Sequence, residues 1–193
     1  VNAMDELFTS LLDVSRLDAG IIEAHPTEFA IDAVLTRVSR EVAQEAQNKG
    51  LRLVLRSSRD RVLSDPVLLE RVLRNLATNA VRYTDSGGIL IAARHRGPLL
   101  SLEVWDTGRG IPAEQQENVF QEFYQLDNPE RDRSKGLGLG LAIVRRLTKL
   151  LGATLRLRSR PGRGCSCCGR GCVLGSAGGS GVGVGSCRCA GGT

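Results

Sequence analysis

Cysteine is absent from the first 164 residues of this chain, and all six (Cys165, Cys167, Cys168, Cys172, Cys187 and Cys189) crowd into the last thirty. A body without cysteine owes nothing to disulfides and suits a reducing compartment. Aromatic residues make up only 4%, too few to line a basic stripe with stacking platforms for nucleic acid. No apolar run approaches the roughly 20 residues that cross a bilayer. The first residues carry Asp5 and Glu6 where a signal peptide would carry lysines. The expected setting is cytoplasmic, with no membrane segment in this chain.

What is present is one ordinary core's worth of apolar residues, 41% of 193, with 24% charged. The net charge of +5 is inflated by Arg163, Arg170 and Arg188, which follow Pro161 with no acid among them; without these three it is +2. Elsewhere acids and bases alternate, and no nucleic-acid partner is expected.

The spacing of Met4, Leu7, Phe8, Leu11, Leu12, Val14 and Leu17 predicts an amphipathic helix over 4–19, ended by Gly20 and Pro26. A short strand at 28–31 precedes a helix from Asp32 to about Lys49. Strands are expected at 51–55 and 62–63, and Ser64, Asp65 and Pro66 announce a helix that runs to about Tyr83. Segments 89–94 and 100–105 read as a hairpin around Gly97 and Pro98. Helices are expected near 114–123 and 137–151, and a strand at 153–159. The order predicts an α+β domain, a two-layer α/β sandwich with helices on one face of a mostly antiparallel sheet. After Gly164 the composition turns to glycine, cysteine and serine without periodicity, and no core is expected there.

Four segments carry chemistry. In NLATNAVRYT, Asn75, Asn79, Arg82 and Tyr83 fall on nearly one helical face. Two amides so placed can complete a magnesium shell around a triphosphate, and an arginine can neutralise phosphate charge. In DTGRGIP, Asp106 ends a strand and can accept a hydrogen bond from an adenine amino group, while Gly108 and Gly110 let backbone approach a base. In KGLGLGLAIV, Gly136, Gly138 and Gly140 open a helix whose N–H groups can hold phosphate, with Arg133 and Lys135 adding charge. FQEFYQL sets Phe120, Phe123 and Tyr124 where packed aromatics can anchor a mobile lid.

In this order and spacing the four segments resemble the asparagine box, first glycine box, phenylalanine box and second glycine box of sensor histidine kinases of two-component systems, over roughly residues 28–164. The resemblance implies a Bergerat-type ATP fold with ATP and Mg2+ as cofactors. Asn79 is then the main magnesium contact, with Asn75 and Arg82 near the phosphates, Tyr83 lining the adenine pocket and Asp106 reading adenine. Ile111, Leu137 and Leu139 complete the ATP-binding set, and residues 113–136 form a lid. LLDVSRLDAG resembles the second helix of the family's dimerisation and phosphotransfer domain. The domain reading is therefore 1–24 as the end of that helix, 25–164 as the catalytic domain and 165–193 as a disordered or frame-shifted tail. Implied partners are a response-regulator receiver domain and, through the dimerisation helices of an intact protein, a second copy.

The same fold serves gyrase, a heat-shock chaperone and mismatch-repair ATPases, which resemble one another in a glutamate one helical turn before the magnesium asparagine. Here Asn75 stands there, and an amide is no general base. Transfer of the γ-phosphoryl group to a histidine is expected, with a nucleotide-binding module or ATPase lacking autokinase activity as the alternative. The family's acceptor histidine is expected to be absent, since His25 and His95 lack its context. Without a partner helix, the stripe Leu7, Leu11, Val14 is expected to be exposed or to pair with another copy. Cys165 to Cys172 offers soft metal ligands but matches no standard zinc spacing. Deletion beyond Gly164 is expected to leave nucleotide affinity nearly unchanged.

Overall fold

The computed structural model describes residues 3–96, 99–126 and 137–174. Helix α1 (Ala3–Asp18) leads into β1 (Thr27–Ala30), α2 (Ile31–Asn48), β2 (Arg52–Arg56), β3 (Arg61–Ser64) and α3 (Pro66–Tyr83). The hairpin β4 (Gly88–Arg96) and β5 (Leu99–Asp106), two 3-10 turns, α4 (Gly140–Leu150), β6 (Thr154–Ser159) and β7 (Cys165–Leu174) follow. The sheet runs β1-β3-β7-β5-β4-β2, with β6 also paired to β7. Among the described strands only β2 and β4 run parallel. No described helix is long and apolar enough to cross a membrane.

The helices take one face of the sheet because their apolar residues recur at helical spacing. α2 buries Ile31, Val34, Leu35, Val38, Val42 and Ala46, and α3 buries Leu68, Leu69, Val72, Leu73, Leu76, Ala77, Ala80 and Val81. Each such aliphatic side chain contributes about 1.5–3 kcal/mol on burial. α3 starts where its sequence says. Asp65 caps it, accepting from the N–H groups of Val67 (2.9 Å) and Leu68 (3.0 Å), with Pro66 in the first turn. Burial pushes the Asp65 carboxyl up, but the N–H donors of Leu68, His25 and Val67 outweigh it and hold it below the usual carboxylate value.

Three expectations change. The helix near 114–123 is instead two 3-10 turns, Ala113–Gln115 and Asn118–Phe120. Of the residues in these turns only Val119 is buried, so a continuous helix would have almost no apolar face to bury. The helix at 137 begins only at Gly140, because Gly138 holds a left-handed φ of 71°. The expected tail is a strand as far as Leu174: β7 pairs with β5 along one side and with β6 and β3 along the other. Cys167 is 6% exposed within the core. A sheet interior asks the backbone for a ladder and the side chains only for bulk, and cysteine packs as a small hydrophobe. Val173 and Leu174 lie between β5 and β3, not on an edge.

α1 is not simply unpartnered. Leu11 is 43% exposed, as expected, and Leu12 is 53% exposed, but Val14 is 6% exposed and Leu17 packs against the core. The side chain of Leu7 lies outside the described residues. Arg71 of α3 pairs with Asp13. Arg146 of α4 forks onto Asp18 at 2.6 and 3.0 Å and also meets Glu122. The clamp holds Asp18 below the usual carboxylate range through its hydrogen bond to Arg146.

Candidate nucleotide site

A cavity of about 590 Å³ opens between α3, the sheet ends of β5, β6 and β7, and the chain on either side of residues 127–136. Asn75, Asn79, Arg82 and Tyr83 all line it, as their helical spacing requires. Asp106, Gly110, Ile111, Leu137, Gly138, Leu139 and Gly140 line it from the other segments. Gly108 does not reach the cavity wall. It sits beneath Asp106, where a Cβ would come 2.3 Å from the Tyr83 carbonyl oxygen. Arg133, Lys135 and Gly136 lie outside the described residues, as does 127–136 of the expected lid.

At one end, the Asp106 carboxylate accepts from the backbone N–H of Gly108 and of Cys165, both at 3.0 Å and both on Oδ1. That leaves Oδ2 to accept from a ligand. Burial pushes the Asp106 carboxyl above the ordinary 3.8, against the pull of those two donors. The loop after Asp106 is fastened to the turn 159–164. Ile111 N–H donates to Ser159 Oγ (2.7 Å), Ser159 Oγ to the Gly164 carbonyl (2.9 Å), and Gln116 Nε2 to the carbonyls of Ile111 and Ser159. Gly164 itself, at φ 85°, passes so close that a Cβ would meet the Asp106 carbonyl oxygen at 2.0 Å. Arg109 stacks over Tyr83, 4.9 Å from the ring centre.

At the other end, Asn75 Nδ2 donates to the Arg71 carbonyl at 2.8 Å, which turns Oδ1 outward. A Cβ on Gly140 would stand 3.1 Å from that Oδ1 and 3.6 Å from Asn79 Nδ2, so the first turn of α4 lies against both asparagines. No side chain caps α4. Leu139, Gly140 and Leu141 at its start line the cavity, and a helix start, whose first-turn N–H groups have no partner within the helix, is the usual setting for a bound phosphate.

Sequence spacing alone does not reveal Cys165, Cys167 or Leu157 in the wall, nor Arg109 over Tyr83. Arg109 sits inside the DTGRGIP motif, but the wall from β6 and β7 depends on strand pairing that no local pattern announces. His25 is exposed, its backbone N–H bound to Asp65, and exposed His95 faces Asp60 at 2.7 Å. Neither lines the cavity. Among the described residues no group of three His, Cys, Asp or Glu side chains is arranged to hold a metal ion.

The half-buried Asp106 carboxylate thus lies in one wall of the cavity, and the paired amides of Asn75 and Asn79 lie against the start of α4, on a two-layer sandwich. Residues 64–169 match the family model described as histidine kinase-, DNA gyrase B-, and HSP90-like ATPase, and the chain belongs to that family. Curated relatives include proteins named as histidine kinases and sensor proteins. It is 32% identical over 171 residues to the signal transduction histidine-protein kinase BarA of Escherichia coli, covering 84% of this chain and 19% of BarA. It is 36% identical over 167 residues to the virulence sensor protein BvgS of Bordetella bronchiseptica, covering 82% and 14%. The chain thus spans about a fifth or less of these relatives. Among solved structures, full-length ShkA in complex with AMPPNP superposes with a TM-score of 0.79 at 29% identity, covering 89% of this chain and 36% of that one. The Acinetobacter baumannii histidine kinase AdeS gives 0.70 at 22% identity, covering 89% and 79%, and shares the fold.

Proposed function

We propose that residues 25–174 are the ATP-binding catalytic domain of a sensor histidine kinase, and that 1–24 are the end of its dimerisation helix. The domain would transfer the γ-phosphoryl group of ATP to a histidine supplied from outside this chain. The observation that carries the reading is the polarity of the cavity. Asp106 stands at one end, and Asn75 and Asn79 stand against the open N-terminus of α4 at the other.

In this reading Asp106 Oδ2 accepts the adenine amino group, and Tyr83 with Ile111 flanks the base. Leu137, Gly138, Leu139 and Gly140 present backbone to the phosphates, Arg82 adds charge, and Arg133, Lys135 and Gly136 belong to the same loop. Amide oxygens are hard donors that suit Mg2+, so Asn79, with the outward Oδ1 of Asn75, would hold it. When bound, the metal neutralises charge on the transferred group. Asn75 also decides between transfer and hydrolysis. It spends its amide hydrogen on Arg71 and cannot take a proton from water. A neutral imidazole already offers a lone pair and needs no such base. The intact kinase would be a cytoplasmic-facing homodimer that passes its phosphoryl group to a response-regulator receiver domain.

The test is incubation with γ-labelled ATP and a separately supplied helix pair bearing the family's acceptor histidine. Label on that histidine with little free phosphate is expected. Rapid phosphate release with an unlabelled helix would replace the kinase reading by a hydrolase.

A further inference from the structure

We propose that the sheet face turned away from the helices carries a second binding site, which takes the phosphate group of a small molecule on Arg158, Arg160, Arg163 and the hydroxyl of Ser166. The proposal does not rest on the nucleotide reading above, because none of these four residues lines the nucleotide cavity.

A second cavity, of about 550 Å³, lies at the end of the sheet where β6 turns into β7. Along β7, Ser166 alternates with Cys165 and Cys167, which line the nucleotide cavity, so its side chain takes the opposite face of the sheet. In the ladder it lies between Trp105 of β5 and Arg158 of β6, and all three line the second cavity. Ser166 is 4% exposed, yet among the described residues its hydroxyl has no hydrogen-bond partner. Buried hydroxyls are ordinarily satisfied, and one left over in a cavity wall calls for a partner from the cavity.

Charge sets the sign of that partner. Arg160 and Arg163 line the same cavity from the turn between β6 and β7. Backbone fixes the turn: the N–H of Arg160 donates to the Gly164 carbonyl (3.3 Å), that of Arg163 to the Arg160 carbonyl (3.0 Å) and that of Gly162 to the Arg109 carbonyl (2.8 Å). All three arginines are exposed, and among the described residues none of their guanidinium groups meets a carboxylate. No Asp or Glu follows residue 132 in the chain. Asp106 is the carboxylate in this wall, and its Oδ1 is already taken by two N–H donors. Guarding an edge strand against pairing would account for Arg158 alone. It does not account for two further arginines on a fixed turn around a buried, unmatched hydroxyl. A phosphate monoester offers three acceptor oxygens and about −1.5 to −2 of charge, which guanidinium forks and a hydroxyl donor match. Trp105 is 42% exposed and spends its indole N–H on Glu103 Oε2 at 3.0 Å, so it offers the carrier of the phosphate an apolar surface.

Trp105 is the single tryptophan of the chain and lines this cavity but not the nucleotide cavity, so its fluorescence reports on the site. The full chain is titrated with inorganic phosphate and with phenyl phosphate at an ionic strength held constant with chloride, each with and without saturating Mg·AMPPNP. Both probes should shift Trp105 emission saturably. Tighter binding of phenyl phosphate assigns the site to a phosphate ester, and equal binding assigns it to free phosphate; either result supports the site. Arg160→Ala/Arg163→Ala should weaken binding by at least about tenfold, and Ser166→Ala by about threefold. The two arginine side chains are exposed, so the double variant should melt like the parent; if it does not, the single variants decide by the same criterion. Emission that follows ionic strength alone, or arginine variants that fold and bind both probes as the parent does, would overturn the proposal. So would a phosphate response that Mg·AMPPNP abolishes, since phosphate would then be entering the nucleotide cavity. Failure of AMPPNP to bind would remove the nucleotide reading only, and the arginine variants would still decide the second site.

Discussion

The two walls of the cavity are specified in opposite ways. α3 presents Asn75, Asn79, Arg82 and Tyr83 by side-chain spacing on a capped helix with a buried apolar face. The facing wall, from β5, β6 and β7, is held by backbone. Cys165 contributes its N–H to Asp106, and Gly164 contributes the absence of a Cβ. A wall written in side chains can be lost one residue at a time, whereas a wall written in backbone is lost when its strand is lost.

The largest effect should therefore come from ending the chain after Gly164. That removes a strand paired to β5, β6 and β3, so cooperative thermal unfolding should disappear, in place of the expectation from sequence that nucleotide affinity stays nearly unchanged. A truncated protein that melted like the full chain and bound nucleotide would refute the backbone half of the comparison. On the helix side, Leu73→Ala at a site 1% exposed should cost about 2–5 kcal/mol in denaturant unfolding. Next in size, Asp106→Asn should cost about 1.5–3 kcal/mol of nucleotide affinity by titration, the range for hydrogen bonds to a charged group.

The pH dependence of Asp106 sharpens the same point. Because burial raises its pKa in the fold, the group's contribution to stability of the nucleotide-free domain is full below 3.8 and is lost as pH rises through the raised value. Nucleotide affinity should run the other way, since the ionised carboxylate accepts on both oxygens and more strongly than the protonated group. Affinity should begin to fall on acidification above pH 3.8, and Asp106→Asn should flatten that profile. Asp65 has the opposite sign. It is held below its usual value, so its stabilisation is present above 3.8 and is lost as pH falls through the lowered value. Asp65→Ala should cost about 1 kcal/mol in unfolding, the ordinary worth of an N-cap. The smallest effect is expected of Arg146→Ala. Amide exchange in α1 should speed up while the melting temperature stays close to that of the parent, because Asp18 and Glu122 are solvent-facing partners.

α3 is legible in the sequence from cap to last turn, since Asp65, Pro66 and the apolar period all agree with the tertiary structure. The β4–β5 hairpin is legible too, from two strand-length segments on either side of Gly97 and Pro98 that pair antiparallel. β7 is not. Its glycine and cysteine carry no strand period, and its place is dictated by β5 and β6, whose open backbone groups accept almost any chain of small residues. The 3-10 turns are misread as a helix because polar residues at helical spacing satisfy a pattern without providing a buried face. At the site, residues 75, 79, 82 and 83 share a cavity wall as their spacing implies, and residues 106, 110, 111 and 137–140 line the same cavity, which only the family resemblance anticipates. Gly108 acts beneath the wall instead of in it.

The central claim is that the cavity reads adenine through a carboxylate held by β7. Paired titrations with Mg·ATP and Mg·GTP test it most directly, because guanine presents a carbonyl oxygen where adenine presents an amino group. ATP should bind the full chain at least about tenfold more tightly than GTP, and Asp106→Asn should remove that preference. Equal affinity for both nucleotides, or a preference that survives Asp106→Asn, would contradict the account.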